Sequence, residues 1–253
     1  MKVIMLKKAV LATVVGVLVF FSAFALNLSG IPVSSAYLSL NRKLPVYSVK
    51  TDENKVSISF DAAWGADKTR DIMNMCDSYG IKATFFLVGF WVERYPEMVK
   101  EIYNRGFEIG LHSNTHPDMT KLTNNEIEQE LQVNIALIEK ITGKKPILFR
   151  PPFGYYNNKL IEKCEEMGIQ CIQWSVDSLD WKGLSASEIA GRVISKSENG
   201  SIILCHNNSA NIIGALKMIF EHFKQQNTLV VPIGELIYFE NYKIDTQGQQ
   251  IKI

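Results

Sequence analysis

Five short polar clusters stand in the chain: Phe60-Asp61-Ala62-Ala63-Trp64-Gly65, His112-Ser113-Asn114-Thr115-His116, Arg150-Pro151-Pro152-Phe153-Gly154, Asp177-Ser178-Leu179-Asp180-Trp181 and Leu204-Cys205-His206-Asn207. Their residue types suit hydrolysis of an amide. A carboxylate such as Asp61 can take a proton from water, and an imidazole such as His206 can give one to a leaving amine. A guanidinium such as Arg150 keeps a neighbouring carboxylate ionised. Neutral imidazoles such as His112 and His116 are the commonest metal ligands. Two of them with one carboxylate and an open position form a usual catalytic zinc set.

Each cluster also has a plainer reading. Without a metal, His112 and His116 are two loop histidines, and Ser113 already separates them from the helical zinc-protease motif. The chain holds only four histidines and three of them sit in these clusters, which favours a metal role for the pair. Asp61 alone could cap a loop as readily as act as ligand or base. Arg150, whose direction is fixed by the two prolines after it, would hold that carboxylate ionised and in place; the alternative is a structural salt bridge. His206 gripped by Asp180 would have its tautomer set and its pKa raised; the alternative is a core histidine bonded to a carbonyl. Trp181 and Leu204 would supply an apolar wall, or plain core packing.

The elements that must carry these clusters alternate along the chain. Strands are expected at 55–61, 83–88, 107–111, 147–149, 170–176, 201–205 and 228–231. Between them, helices are expected at 67–79, 96–105, 158–167, 185–195 and 212–224, with a longer one opened by Thr123-x-x-Glu126 and closed by Gly143. Ser185 and Glu188 repeat that capping pattern. Strands alternating with helices through short connections predict an α/β fold with a parallel sheet. Asp61, His112, Arg150, Asp180 and His206 all fall at or just after strand ends. Five polar sites from five strands suit the mouth of a (β/α) barrel better than the single crevice of an open sheet.

Composition sets the remaining bounds. The 253 residues suffice for one sizeable domain with a full core. Lys2, Lys7 and Lys8 are the only charged residues among the first thirty, and without them 24 basic residues face 26 acidic ones. Such a near-neutral domain carries no electrostatic footprint for nucleic acid. The three lysines precede an apolar run from Ala9 to Leu26, long enough for a membrane anchor and equally compatible with a cleaved signal ending at Ala23-Phe24-Ala25. Either way the lysines predict that the rest of the chain lies outside the membrane. The expected organisation is a targeting segment at 1–26, a linker at 27–44, a catalytic domain at 45–242 and a polar, frayed tail at 243–253. Cys76, Cys164, Cys171 and Cys205 lack metal-site spacing and sit in apolar contexts, so buried free thiols are expected. An exported chain could instead pair Cys164 with Cys171.

Taken in order, Phe60-Asp61, His112-x-x-x-His116, Arg150-Pro-Pro-Phe-Gly154, Asp177-x-x-Asp180-Trp181 and Leu204-x-His206 resemble the five motifs of the polysaccharide deacetylase family. These are the NodB-homology domains of carbohydrate esterase family 4. The similarity runs from about Val56 to Val231. The Phe-Asp-x-x-Trp-Gly form of the first motif resembles that of membrane-anchored sporulation deacetylases.

This resemblance implies a distorted (β/α) barrel that removes acetyl groups from N-acetylated sugars of an extracytoplasmic glycan, peptidoglycan first. Asp61 would be the base, oriented by Arg150, and His206 the acid, tuned by Asp180. His112 and His116 would hold a divalent metal, zinc or a similar ion such as cobalt. The Phe153 N–H would help stabilise the oxyanion, and Trp181 and Leu204 would line the acetyl pocket. The sequence departs from the family where a second aspartate, a metal ligand, usually follows the base: here that position is Ala62. Asp67 could replace it, or simply N-cap the next helix. Waters could complete a two-histidine site, or no metal binds. The alternative function is a non-catalytic glycan-binding or scaffold protein that has lost its metal site. A third is hydrolysis of a small non-sugar amide.

Overall fold

The sheet that carries the polar clusters has one apolar face and one mixed face, and the period-two pattern of its central strand shows why. In the computed structural model, which describes residues 42–253, the chain enters through β1 (Ser48–Val49) and reaches that strand, β2 (Lys55–Ala62). There follow α1 (Thr69–Ser78), β3 (Thr84–Leu87), α2 (Gly89–Arg94), α3 (Pro96–Asn104) and β4 (Glu108–Leu111). Next come α4 (Asn124–Thr142), β5 (Leu148–Phe149), α5 (Asn158–Glu166), β6 (Gln170–Cys171) and β7 (Val176–Asp177). The unit continues through α6 (Ala186–Lys196), β8 (Ile202–His206), α7 (Ile212–Gln225), β9 (Leu229–Val230) and α8 (Ile233–Leu236).

The strand order is β6-β5-β4-β3-β2-β8-β7, with β9 beside β2, and every pair is parallel. The result is an α/β half-barrel whose open edges, β6 and β7, are consecutive in the chain. On β2, Val56, Ile58, Phe60 and Ala62 face the helices and join the main core with Phe85, Leu87, Ile203 and Cys205. The alternate residues Ser57, Ser59 and Asp61 face the barrel interior. That interior is plugged by a second cluster that includes Phe86, Ile202, Leu148, Ile172 and Ile233. The site therefore stands on an apolar plug at the carboxyl ends of the strands.

Local signals account for most boundaries. Helix α4 has both capping-box bonds between Thr123 and Glu126, buries Ile127, Leu131, Ile135 and Ile138 on one stripe, and stops at Gly143, whose φ is 69°. The box at Ser185 and Glu188 forms as well. All four cysteines are buried free thiols.

Three expectations need correction. Helix α2 was not anticipated, because Gly89-Phe90-Trp91 carries no helical period of its own. Its first N–H groups bond instead to the carbonyls of Ser113 and Asn114, at 3.0 and 3.2 Å. Gly89 permits that approach, since a Cβ there would lie 2.1 Å from Asn114 Oδ1. The single strand expected at 170–176 is split, because Gln173 turns its carbonyl to Arg150 at 3.2 Å. The tail is not frayed: β10 (Tyr242–Ile244) and β11 (Gln249–Lys252) pair antiparallel, and β11 runs parallel to β1, burying Gln250. The targeting segment at 1–26, and the linker up to residue 41, lie outside the described residues. Among those described, no helix is long and apolar enough to cross a membrane.

Candidate active site

The site is built around Asp61, near the end of β2, and His206, the last residue of β8, which are direct partners in the β2–β8 register. The strand pleat sends both toward the interior. Asp61 Oδ1 accepts a 2.7 Å bond from Arg150 Nη1, and Oδ2 lies 3.5 Å from His112 Nε2. Burial alone would push the Asp61 pKa up. The charges of Arg150, His112 and His206, with the Arg150 hydrogen bond, outweigh it and hold the carboxyl below its usual range.

Arg150 is fully buried, which an unpaired cation could not sustain. Its guanidinium lies 4.2 Å from the Phe86 ring centroid and 5.6 Å from that of Trp174, and its backbone N–H donates to Leu111 O. Pairing to Asp61 and to the Gln173 carbonyl completes the clamp. Arg150 thus fixes which way the carboxylate points.

His206 is held by both oxygens of Asp180: Nδ1 at 2.7 Å from Oδ1, and its backbone N–H at 2.8 Å from Oδ2. Asp180 is itself buried, and its carbonyl accepts from Ser209 Oγ. Burial would lower the His206 pKa; the hydrogen bond and charge of Asp180, with Asp61 and Asp177, outweigh it and raise the pKa above the usual histidine value. With Nδ1 taken by Asp180, Nε2 is the ring nitrogen left to exchange a proton.

His112 follows β4 and is buried, with Nδ1 at 2.7 Å from the Arg150 carbonyl. That bond assigns the proton to Nδ1 and leaves Nε2 as an acceptor. Burial is the first cause that lowers the His112 pKa. The His116 ring sits 4.9 Å from the His112 ring, and burial together with the His112 charge lowers its pKa to about 4. Both imidazoles are therefore neutral at pH 7. Ser113 and His116 take left-handed backbone at φ 66° and 59°, tied by the bond from His116 N–H to Ser113 Oγ. Glu130 of α4 clamps the same loop, accepting from the N–H groups of Asn114 and Thr115 and from the Thr115 hydroxyl. Nothing in the spacing of the clusters pointed to Glu130.

Among the described residues, the pair of imidazoles has no third ligand placed to complete a metal site. Ala62 offers no donor and is fully buried in the helix-side core beside Phe60. Asp67 is exposed, and it does not cap the helix either: the N-cap of α1 is Lys68, without a side-chain cap. Among the described residues no group of three His, Cys, Asp or Glu side chains is placed to hold a metal ion. The residues present do not fit the three-ligand set that the resemblance implies.

Phe153 stands at the rim with φ 60°, its ring more than half exposed, inside the short 3-10 turn Pro152–Gly154. Trp181 is also exposed, whereas Leu204 is buried on the inner face of β8. Asn207, which the cluster reading left without a role, ties the first and last clusters together. Its N–H donates to Asp61 O, and its side-chain amide to Gly65 O and Thr69 Oγ1.

The model of the polysaccharide deacetylase family matches residues 48–172, a span that ends before Asp180 and His206. A peptidoglycan-N-acetylglucosamine deacetylase of Bacillus cereus is 30% identical over 77% of this chain and 93% of its own length. The chain belongs to the polysaccharide deacetylase family. Another relative, the uncharacterized protein YlxY of Bacillus subtilis, is 36% identical over 68% of this chain, but the match spans only 54% of YlxY. Among solved structures, BA3943 of Bacillus anthracis, a CE4 family pseudoenzyme, is 30% identical with a TM-score of 0.74, covering 83% of this chain and 73% of that one. Polysaccharide deacetylases thus include both enzymes and a pseudoenzyme at comparable distance from this chain, and the half-barrel is the fold they share.

Proposed function

We propose that this protein hydrolyses the N-acetyl amide of N-acetylated sugars in an extracytoplasmic glycan, with peptidoglycan as the first candidate. One observation carries the reading. A carboxylate and an imidazole are register partners on adjacent strands, and their separate partners, Arg150 and Asp180, hold them in the states a base and an acid require. A pure binding site needs neither. Asp61 takes a proton from water as the oxygen attacks the amide carbonyl. The Phe153 N–H supports the developing oxyanion. His206 protonates the sugar nitrogen as the C–N bond breaks, releasing acetate and a free amine. Arg150 and Asp180 act through Asp61 and His206. Trp181 and Leu204 flank the acetyl group.

The lysines and apolar run of the first 26 residues support placement outside the membrane, anchored or secreted. The names of relatives that act on peptidoglycan support the substrate class. The test is acetate release from purified cell-wall glycan by the full chain, beside Asp61→Asn and His206→Ala. Release that vanishes in both variants is the expected result; release retained in both removes the assignment.

A second reading, a glycan-binding protein without turnover, rests on Ala62 and on the lack of a third ligand among the described residues. Co-sedimentation with cell wall without acetate release, with or without added zinc or cobalt, would favour it.

A further inference from the structure

Two of the four cysteines are neighbours, and the hydrolytic site uses neither. Cys164 is the last buried residue of α5, and Cys171 ends β6. The chain between them is one tight reversal. The Cys164 carbonyl accepts from the N–H groups of Met167 and Ile169, at 3.1 and 2.8 Å, and Gly168 turns the corner at φ 70°. Gln170 N–H then donates to Ile147 O, and Cys171 stands opposite Phe149 in the β5–β6 register. The pleat sends Ile172 to the barrel plug and Cys171 to the helix layer, where it shares the main core with Cys164. There the two thiols are hydrogen-bond partners. Cys205 meets the Ser178 side chain instead.

Cys164 is fully buried, but Cys171 lines a hollow of about 400 Å³ with Pro45, Ile161, Glu165, Gly168 and Tyr242. Glu165 and Gly168 are exposed, so the hollow opens to solvent beside Cys171. The strand it lies on is an open edge of the half-barrel. Beyond β5, β6 is held by a single bridge, from Val46 to Ile172. Two residues past Cys171, the Gln173 carbonyl accepts from Arg150 Nη2. A bond at Cys171 would therefore steady the backbone next to the Arg150 clamp.

We infer that Cys164 and Cys171 are a disulfide-forming pair, oxidised as the chain folds, and that their bond fastens the open edge of the half-barrel to α5. Disulfides form and persist outside the cytoplasm, so the inference rests on the extracytoplasmic placement proposed above and not on hydrolysis. The oxidant is a disulfide-bearing small thiol compound or oxidoreductase. The Cys171 thiolate attacks one sulfur of that external disulfide, and the other sulfur leaves and takes up a proton. The Cys164 thiolate then attacks Cys171 Sγ in the mixed disulfide and expels the second thiol. The cysteines lose two protons and two electrons, and the external disulfide becomes two thiols. The hydrogen bond with Cys164, and burial, push the Cys171 pKa well above the usual thiol value, so thiolate is scarce once the chain has folded. Exchange belongs to the folding chain, and the finished bond resists reductant.

The test is to refold the full chain from urea in detergent, with a glutathione redox couple or with reductant alone, and to digest each sample with trypsin. Cleavage after Lys163 and Lys182 releases a peptide that holds Cys164 and Cys171 and no other cysteine. In the oxidised sample this peptide is expected to be lighter by two hydrogens, while Cys76 and Cys205 still titrate as thiols in denaturant. The closed loop is short, and the melting temperature is expected to rise by about 5–10 °C. Cys164→Ala and Cys171→Ala are expected to abolish both changes, and Cys76→Ala to keep them. Four titrating thiols, a persistent mixed disulfide, a bond to Cys76 or Cys205, or an unchanged melting temperature would overturn the inference. Thiol trapping in intact cells before lysis gives the same peptide readout without refolding. A bond formed in vitro but absent in cells removes the extracytoplasmic placement; its absence from both removes the pair. A bond in a chain that releases no acetate keeps the pair and removes the hydrolytic reading, and acetate release from a chain with four thiols does the reverse.

Discussion

Asp61 and His206 are Cα partners across the β2–β8 ladder, and each is gripped by an oppositely charged side chain from a distant segment, Arg150 and Asp180. Neighbouring register puts base and acid on the same inner face without any loop having to deliver them. The two groups also bias each other, since each charge favours the ionised form of the other.

Weakening the Arg150 clamp should move the acid limb of the pH–rate profile. The Asp61 pKa is lowered in the folded protein, so its stabilising contribution is present above the unfolded carboxylate pKa of about 3.9 and is lost as pH falls through the folded value. Arg150→Lys keeps a charge but loses the fork that reaches both Asp61 and Gln173. The acid limb of kcat/KM should shift to higher pH; an unshifted limb would mean that Arg150 does not set the ionisation of Asp61.

Asp180→Asn should act on the other limb. The His206 pKa is raised in the folded protein, so its contribution to stability is full below the unfolded value of about 6.5 and fades as pH rises through the folded one. Without the Asp180 charge, His206 loses its proton at lower pH. The basic limb should move down, and His206→Ala should cost about 10²–10⁴ in rate. A basic limb in the same place for Asp180→Asn would show that another group is the acid.

Much of this was legible in the residues themselves. The alternation of Val56, Ile58 and Phe60 gave β2 its two faces, and so placed Asp61 inside. Both capping boxes named their helices at the right residue. The misses have physical causes. Helix α2 exists through tertiary bonds to Ser113 and Asn114, which no local pattern encodes. Gln173 looks like a strand residue until Arg150 needs its carbonyl. The polar tail pairs with β1, a contact across some two hundred residues that composition cannot signal. Glu130 sits on the polar side of α4 and resembles any solvated glutamate. Its role is visible only where the histidine loop folds onto it.

Metal removal should test the missing ligand. With His112 and His116 alone, zinc should bind weakly, and a chelator should leave the melting temperature unchanged. Structural stabilisation by a metal scales with how far its concentration exceeds Kd. Calorimetry with zinc should show at most micromolar affinity. A nanomolar site that disappears in His112→Ala would show that a third donor moves in.

Glu130→Ala should damage the site more than the fold. Its carboxylate accepts 2.8 Å bonds from Asn114 N and Thr115 N, and a 2.7 Å bond from Thr115 Oγ1. Those bonds hold a loop in which Ser113 and His116 both carry left-handed backbone, each costing on the order of 1–3 kcal/mol. Removing the clamp lets the loop relax toward ordinary dihedrals. His116 then leaves its place beside His112 and Phe153, while the core under α4 keeps its packing. Stability should fall by about 1–3 kcal/mol, and kcat/KM by about tenfold or more, since small misplacements at a reacting centre are costly. Glu130→Gln, which keeps acceptor oxygen but no charge, should fall between. Equal losses of stability and activity in both variants would make Glu130 a support of the fold rather than of the histidine loop.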